Sequence, residues 1–478
     1  MRIKFIYLFL LVVIIISLFR LDSINIYVNK YPSIAVIDTG LDIKGINYSK
    51  LVKNPFNAII NEYDNIEDNN GHGTLISNIL YDLTDGKIQL IPIKAFDNNG
   101  FSQEKNINNA LKYAIQHDIE IILMSSSFPY LSENIHDKIL DAYNKGIIII
   151  SATGNGNTEV GYPARFPEVI GVGASKNNNY VEYSNYGMGL DFLVPGEYHN
   201  EEGTSISAAR LAAIISQILY LNSDEKIDSK NIKIHLISQL VKKNKIVWNE
   251  MVGFGDLTEY SIKNNGNYFN NINDIPLNTF TPVNIDKYSE FNFKLPLDGQ
   301  IELYSTNEVI INNAQIFSDQ KKLINKGVFP LITNLEEGEY TLKLFSNNSA
   351  VKTISQLLIR FKLVNDEYEP NDYIANSTKI KRSKQIMGTF HSIDDKDYYE
   401  FSVDVAKKID LIINPIWGNS DLIVTLFNKK NDLVVRIDDK GINQAERIKI
   451  KLKEGNYFLL VENGLKSSDS AYKITGSW

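Results

Sequence analysis

The sequence predicts an α/β fold, an open and mostly parallel sheet flanked by helices, followed by two all-β sandwich domains. Two observations predict it. Over the first half of the chain, short runs rich in Ile and Val alternate with amphipathic segments, as strands buried on both faces of a parallel sheet do. After about residue 275 this alternation stops, and period-two strands separated by turns take over.

Five apolar runs are the predicted strands of the sheet: 34–37, 88–93, 119–124, 147–151 and 169–172. Between them, apolar residues recur at helical spacing, for example at Ile107, Ala110, Leu111 and Ala114. The predicted domains are 31–266 for the α/β unit and 278–364 and 366–478 for the sandwiches. Segments 335–342 and 452–459 resemble each other, each with a glycine turn before an alternating strand. They indicate either a repeated sandwich or two ordinary hairpins.

The composition excludes some classes of function. The formal net charge of -8 argues against nucleic acid as the main partner, because phosphate binding needs a basic face. There is no cysteine, so disulfides, cysteine nucleophiles and cysteine metal sites are excluded.

The N-terminus predicts export. Arg2 and Lys4 precede an apolar run, 5–16, and residues 1–20 together read as a signal sequence or a signal anchor. We therefore expect the protein to be extracellular or anchored to the outer face of the cytoplasmic membrane, with both options open.

Three separate segments each carry a residue suited to nucleophilic hydrolysis. Asp38 ends an apolar strand before Thr39-Gly40, His72 lies between two glycines, and Ser205 follows Gly203-Thr204 at the start of a helical stretch. A serine hydroxyl needs a base to take its proton, and a carboxylate can orient that base. Asn155, just past the strand 147–151, can donate its amide to a developing oxyanion. This chain order of Asp38, His72 and Ser205, with Asn155 between the histidine and the serine, predicts a peptidase.

Over residues 31–265 these segments resemble the subtilisin-like serine peptidases (subtilases). The resemblance implies the catalytic roles for Asp38, His72 and Ser205 and the oxyanion role for Asn155. It also implies substrate-binding residues: a protein or peptide substrate would pair as an extended strand with the segment holding Ser125, Ser126 and Ser127. The implied pocket is bordered by Gly154 and floored by Gly161, and we expect it to accept a sizeable apolar side chain.

The sequence also departs from that family. Ser207 and Ala209 stand where the family usually has Ala and Pro, and Ser127 and Phe128 stand where it has Gly, which crowds the pocket. Only 21–30 separate the predicted signal from the catalytic unit, where the family usually has a folding pro-domain, so we expect folding to be self-sufficient, assisted in trans or inefficient. No cofactor is needed for the chemistry, and no metal ligand is assigned at the catalytic site. A structural calcium ion is left open.

Residues 366–478 resemble the bacterial pre-peptidase C-terminal domain, through Glu369-Pro370-Asn371-Asp372 and through the segments 395–401 and 455–457. The resemblance implies an accessory role, and Asp394, Asp395 and Asp397 are either calcium ligands or a charged turn. The expected function is that of an exported serine endopeptidase. The alternatives are a processing peptidase with one protein substrate and a catalytically weak scaffold used for binding.

Overall fold

The structure is a computed structural model. It describes residues 31–43, 51–63, 65–223, 225–240, 248–257, 274–285, 288–306, 311–328, 330–346, 353–363, 368–381, 385–390, 395–465 and 470–477. The predicted signal or anchor segment, 1–20, lies outside these residues, as do the predicted ends of the first two domains, 266 and 364, and the boundary at 366. Those boundaries stay predictions.

The first part of the chain folds around one nine-stranded sheet, which confirms the predicted α/β class. The sheet order is β3-β2-β4-β1-β5-β6-β7-β8, with β9 also paired to β7. Its strands are β1 (Ser33–Asp38), β2 (Phe56–Asn57), β3 (Glu62–Tyr63), β4 (Gln89–Lys94), β5 (Ile121–Met124), β6 (Ile148–Ala152), β7 (Ile170–Lys176), β8 (Asn179–Tyr180) and β9 (Phe192–Pro195). All pairings are parallel except those of β3 and β8 at the edges.

Helices cover the sheet. In the described residues they are α1 (His72–Thr84), α2 (Glu104–Gln116), α3 (Glu133–Asn144), α4 (Thr204–Leu221) and α5 (Ile232–Leu240). The small hairpin of β10 (Glu197–Tyr198) and β11 (Glu201–Glu202) leads into α4. Helix α4 is apolar and long enough to cross a membrane, but 67% of it is buried inside the protein, as expected of a core helix.

The remainder of the described chain is β-structure in two pairs of sheets. The first pair contains β12 (Thr281–Ile285), β13 (Tyr288–Leu295), β14 (Gly299–Ser305), β15 (Ile311–Ser318), β16 (Leu323–Gly327), β17 (Leu331–Leu335), β18 (Gly338–Ser346) and β19 (Thr353–Leu363). The second pair contains β20 (Thr378–Lys379), β21 (Ile386–Phe390), β22 (Lys396–Val403), β23 (Lys407–Trp417), β24 (Leu422–Asn428), β25 (Leu433–Ile437), β26 (Glu446–Leu452), β27 (Gly455–Asn463) and β28 (Ser470–Ser477).

The two sandwiches have the same topology. The sheets of the first are β12-β19-β14-β17 and β13-β18-β15-β16. Adding nine to each strand number gives β21-β28-β23-β26 and β22-β27-β24-β25, which are the sheets of the second apart from β20 at one edge. The resembling segments 335–342 and 452–459 are equivalent turns that connect the two sheets of each sandwich, from β17 to β18 and from β26 to β27. In each, a tyrosine hydroxyl donates to the carbonyl four residues earlier, Tyr340 to Glu336 (2.8 Å) and Tyr457 to Lys453 (3.0 Å).

The first sandwich shares a continuous hydrophobic core with one face of the α/β sheet, whereas the core of the second sandwich is largely separate. Direct contacts also join the first sandwich to the α/β unit. The ring of Phe280 stacks on Tyr143 at 5.3 Å, and Arg360 of β19 pairs with the buried Glu168. The first sandwich is therefore packed directly against the α/β unit.

Candidate active site

The candidate catalytic residues lie at one edge of the sheet because they follow parallel strands. Asp38 is the last residue of β1, and Asn155 comes three residues after β6. The amide of Gly203 donates to the carbonyl of Gly196, directly after β9, at 2.9 Å, which places the start of α4 at the same edge. The carboxyl ends of strands in an open α/β sheet are where sites form.

Asp38 and His72 are joined directly. The side chain of Asp38 is 5% exposed, and its Oδ1 lies 2.8 Å from Nδ1 of His72. The backbone amide of Thr39 donates to the same oxygen at 2.7 Å. An ionised carboxylate only accepts hydrogen bonds, so Nδ1 carries the proton and Nε2 is left as the basic nitrogen.

His72 reaches Asp38 because α1 begins against the end of β1. A Cβ on Gly73 would lie 2.3 Å from the carbonyl oxygen of Gly40, so only glycine allows this approach. Gly71, at the cap of the helix, has a φ of 96°, a left-handed conformation. The two glycines that flank His72 therefore serve the packing that brings the histidine to the carboxylate.

Asp68 organises the start of α1, a role that sequence reasoning missed. It is buried and accepts five hydrogen bonds, from Thr39 Oγ1 (2.9 Å), the amides of Asn70 (3.2 Å), Gly71 (2.8 Å) and Thr74 (2.9 Å), and Thr74 Oγ1 (2.7 Å). Burial raises the pKa of Asp68, but these hydrogen bonds outweigh it and lower the pKa below the usual range. The available signal was an Asp shortly before a helix start, where carboxylates are favoured.

The negative charges of Asp38 and Asp68 change the pKa of His72. Burial lowers the pKa of His72, but the charge of Asp38, the hydrogen bond to it and the charge of Asp68 together raise the pKa above 6.5. The protonated form of His72 is therefore stabilised.

Ser205 and Asn155 lie next to each other around Gly203. Ser205 is the second residue of α4, and the amide and hydroxyl of Thr204 donate to Asn155 Oδ1 at 2.9 and 2.8 Å. Because its oxygen accepts both of these hydrogen bonds, the side chain of Asn155 directs its NH₂ group toward Gly203, beside Ser205. Nδ2 of Asn155 and Oγ of Ser205 lie 3.2 and 3.4 Å from the point where a Cβ on Gly203 would sit.

The three residues of the predicted triad lie at the same edge of the sheet, but of these described residues only Asp38 and His72 are joined by a hydrogen bond. In the part of the chain that the structure describes, no hydrogen bond joins Ser205 Oγ to His72. Catalytic hydrogen bonds are often long in the absence of substrate, and they tighten in the complex.

A pocket of about 250 Å³ borders the Asp38–His72 pair. Ser125 and Ser126, which follow β5 and belong to the predicted substrate-binding segment, line it together with Phe96 and Gly100, which were not predicted as site residues. The full lining is Asp38, Thr39, Asn70, His72, Phe96, Gly100, Ser125 and Ser126. Among the described residues, the buried hydroxyls of Ser125 and Ser126 have no hydrogen-bond partner.

Ser207 and Ala209, two departures from the subtilase pattern, face the interior rather than the site. Ser207 is buried and donates to the carbonyl of Val194 at 2.9 Å, and Ala209 lies in the hydrophobic core. Neither changes the position of Ser205 at the start of α4.

One group of three carboxylates with metal-binding spacing occurs among the described residues, and it lies in the second sandwich. Glu369, Asp395 and Asp397 each offer an oxygen, and these oxygens lie within 4.8 Å of one another. Asp394, the third residue expected from the sequence, lies outside the described residues, and Glu369 was not predicted as a ligand.

Comparisons with known proteins point to one family. Residues 29–255 match the model of the subtilase family. The alkaline elastase YaB of Bacillus sp. (strain YaB) is 27% identical over 209 residues, 40% of this chain and 54% of the relative. Subtilisin NAT of Bacillus subtilis subsp. natto is 28% identical over 217 residues, 40% of this chain and 56% of the relative. The chain thus spans about half the length of the curated relatives it matches.

Among solved structures, a lanthipeptide protease matches with a TM-score of 0.44 and 20% identity, covering 48% of this chain and 86% of that one. A cold-adapted subtilisin-like serine proteinase matches with a TM-score of 0.43 and 20% identity, covering 49% and 89% of the two chains.

Proposed function

We propose, from the match of residues 29–255 to the subtilase family, that the protein is an exported serine endopeptidase. The observation that carries the proposal is the bonded pair Asp38–His72, at 2.8 Å, on the same sheet edge as Ser205 and the oriented amide of Asn155. Each of these groups has one role in acyl transfer.

In the proposed reaction, Nε2 of His72 takes the proton of Ser205 Oγ as that oxygen attacks a peptide carbonyl. The oxyanion accepts hydrogen bonds from Asn155 Nδ2 and the amide of Ser205. When the C–N bond breaks, His72 returns the proton to the leaving amine. Water then attacks the acyl-enzyme by the same route and releases the acid. Asp38 holds the imidazole in the required tautomer and stabilises its charged form.

Labelling with a fluorophosphonate tests the proposal, because the reagent reacts only with an activated serine. We expect the wild type to be labelled and Ser205→Ala to remain unlabelled. Ser207→Ala is the matched control: it lies on the same helix, two residues on, carries the residue usual in the subtilase family, and should be labelled like the wild type. An unlabelled wild type would instead support the alternative of a binding scaffold.

We propose that the substrate is a protein or peptide bound as an extended strand beside Ser125 and Ser126. The choice between broad degradation and processing of one protein substrate can be made by cleavage profiling of a whole secretome. A single cleaved protein would favour the processing peptidase.

Export is proposed from Arg2, Lys4 and the apolar run that follows them. N-terminal sequencing of the protein recovered from the culture medium and from the membrane fraction distinguishes the two options. A start after residue 20 in the medium indicates a cleaved signal, whereas an intact N-terminus in the membrane fraction indicates an anchor.

We also propose a structural calcium site in the second sandwich, formed by Glu369, Asp395 and Asp397. Ca²⁺ prefers carboxylate and amide oxygens. Asn371 adds an amide: it is fully buried, its backbone amide donates to Glu369 at 3.2 Å, and its side chain has no hydrogen-bond partner in the described part of the chain. Calcium should raise the melting temperature of the wild type but not that of Asp397→Asn, with Asp432→Asn, in an exposed turn, as the control.

A further inference from the structure

Ser127 bridges two segments that border the candidate site. It is the third residue after β5, and its hydroxyl donates to the carbonyl of Thr153, just past β6, at 3.0 Å. The bridge therefore joins the segment that follows β5 to the segment that follows β6.

The hydroxyl occupies the space that two glycines would otherwise leave open. A Cβ on Gly161 would lie 2.2 Å from Ser127 Oγ and 2.8 Å from the carbonyl oxygen of Phe128. A Cβ on Gly154 would lie 3.1 Å from Ser127 Oγ and 2.5 Å from the side-chain nitrogen of Asn185. The absence of side chains at Gly154 and Gly161 therefore does not create a deep pocket, because a serine hydroxyl and an amide fill the gap.

Several hydrogen bonds hold this filling in place. The buried carbonyl of Thr153 accepts from Ser127 Oγ (3.0 Å), Gly161 N (3.0 Å) and Asn185 Nδ2 (3.1 Å). Phe128 and Tyr162 exchange two backbone hydrogen bonds, at 2.8 and 2.7 Å. A larger group could enter only by breaking bonds that satisfy buried polar atoms, which is unfavourable.

The position of the reacting atoms indicates which side chain of a substrate would contact the Ser127 hydroxyl. The attacked carbonyl carbon must lie at Ser205 Oγ, with its oxygen toward Asn155 Nδ2. The side chain on the acyl side of the scissile bond is attached one atom away, so it extends past Gly154, the neighbour of Asn155, toward Ser127. The depth available to that side chain is set by the Ser127 hydroxyl.

We propose that Ser127 closes the main side-chain pocket and restricts the residue on the acyl side of the scissile bond to Gly, Ala or Ser. This inference rests on the proposed peptidase function. It replaces the expectation of a sizeable apolar side chain, which took Gly161 to leave the pocket open.

Competition with fluorophosphonate labelling tests the inference without requiring turnover. Tripeptide aldehydes that differ only in the residue bonded to the aldehyde carbon, Ala or Phe, are compared as protectors of Ser205. We expect the Ala compound to protect the wild type at least about tenfold better than the Phe compound, since one misfitting methylene already changes binding by about that factor. In Ser127→Gly, protection of Ser205 by the Phe compound should improve at least about tenfold, whereas protection by the Ala compound should change little.

Two further variants keep the inference falsifiable. Ser127→Thr adds a methyl group at the same position and should weaken protection by the Ala compound. Ser207→Ala should leave the Ala-to-Phe ratio of the wild type unchanged. A wild type that prefers the Phe compound, or a labelled Ser127→Gly with the wild-type ratio, would overturn the inference. A wild type that fluorophosphonate does not label at all shows instead that the proposed function is wrong, and the inference that depends on it falls too.

Discussion

At His72 two carboxylates act on one imidazole by different routes. Asp38 bonds Nδ1 directly at 2.8 Å, whereas Asp68 contributes charge and also fixes the backbone that carries the histidine. A general base works in its neutral form, so a raised pKa shifts the onset of activity to higher pH. We expect kcat/KM of the wild type to rise with pH through a midpoint above 6.5, the ordinary value for histidine.

Asp68→Asn tests this argument at the level of a single residue. The substitution removes a negative charge that raises the pKa of His72, so the midpoint of the acid limb should move to lower pH. An amide also has only one acceptor oxygen, so part of the hydrogen bonding around Gly71 and Thr74 is lost and kcat should fall. The measurement is the pH profile of kcat/KM. Asp85→Asn, at the far end of the same helix, is the control, and superimposable profiles for Asp68→Asn and wild type would contradict the role of Asp68.

At the scale of elements, the N-terminus of α4 sets the orientation of Asn155. Thr204 donates through both its amide and its hydroxyl to Asn155 Oδ1, and its hydroxyl also accepts from the amide of Gly154 at 3.3 Å. The helix start that carries Ser205 therefore also aligns the proposed oxyanion donor.

Thr204→Val keeps the shape of this side chain and removes the hydroxyl. The oxygen of Asn155 then keeps one of its two donors, and its amide group becomes free to turn. We expect kcat to fall by about tenfold with KM nearly unchanged, less than the ~10²–10³-fold loss that follows removal of an oxyanion donor itself. Thr204→Ser, which retains the hydroxyl, should restore most of the rate. Equal kcat values for the valine and serine variants would contradict the alignment role.

The elements that could be predicted from the sequence are those with a strong local pattern. Strand β1 and helix α2 follow directly from apolar runs and helical spacing. The helix that begins at His72 was not predicted, because Gly71 and Gly73 are poor helix formers and the capping comes from Asp68 and Thr39. The motif residues could be named from the sequence because each lies in a short local pattern. The position of the Ser127 hydroxyl in the pocket could not, because it depends on contacts between three separate segments.

At the scale of the whole molecule, the contact between the first sandwich and the α/β unit includes a buried ionic cluster. Glu168, with a side chain only 2% exposed, bonds His136 Nε2 at 3.1 Å and pairs with Arg360, which is 192 positions away in the chain. Such a pairing has no local sequence signal. The ring of His136 stacks on Phe166 at 4.2 Å, and Phe166 contacts Tyr162, which pairs with Phe128. The cluster is thus connected to the wall of the candidate specificity pocket.

Arg360→Gln should destabilise the protein by weakening the attachment of the first sandwich. Burial raises the pKa of Glu168, but the hydrogen bond from His136 and the charge of Arg360 outweigh it and lower the pKa. The cluster therefore stabilises the fold at neutral pH, and this contribution is lost as the pH falls through the lowered pKa. Removing one partner of a buried pair costs about 3–5 kcal/mol, so the urea midpoint at pH 7 should drop clearly.

The double variant Glu168→Gln/Arg360→Gln should recover part of that loss, because it leaves no buried charge without its partner. Arg447→Gln, which breaks the exposed pair with Asp410, is the control and should leave the midpoint unchanged. The effect of Arg360→Gln should also shrink when unfolding is measured at acid pH, where Glu168 is protonated. If the double variant is as unstable as the sum of the single variants, the pair does not act as a unit and the other contacts of the sandwich hold it in place.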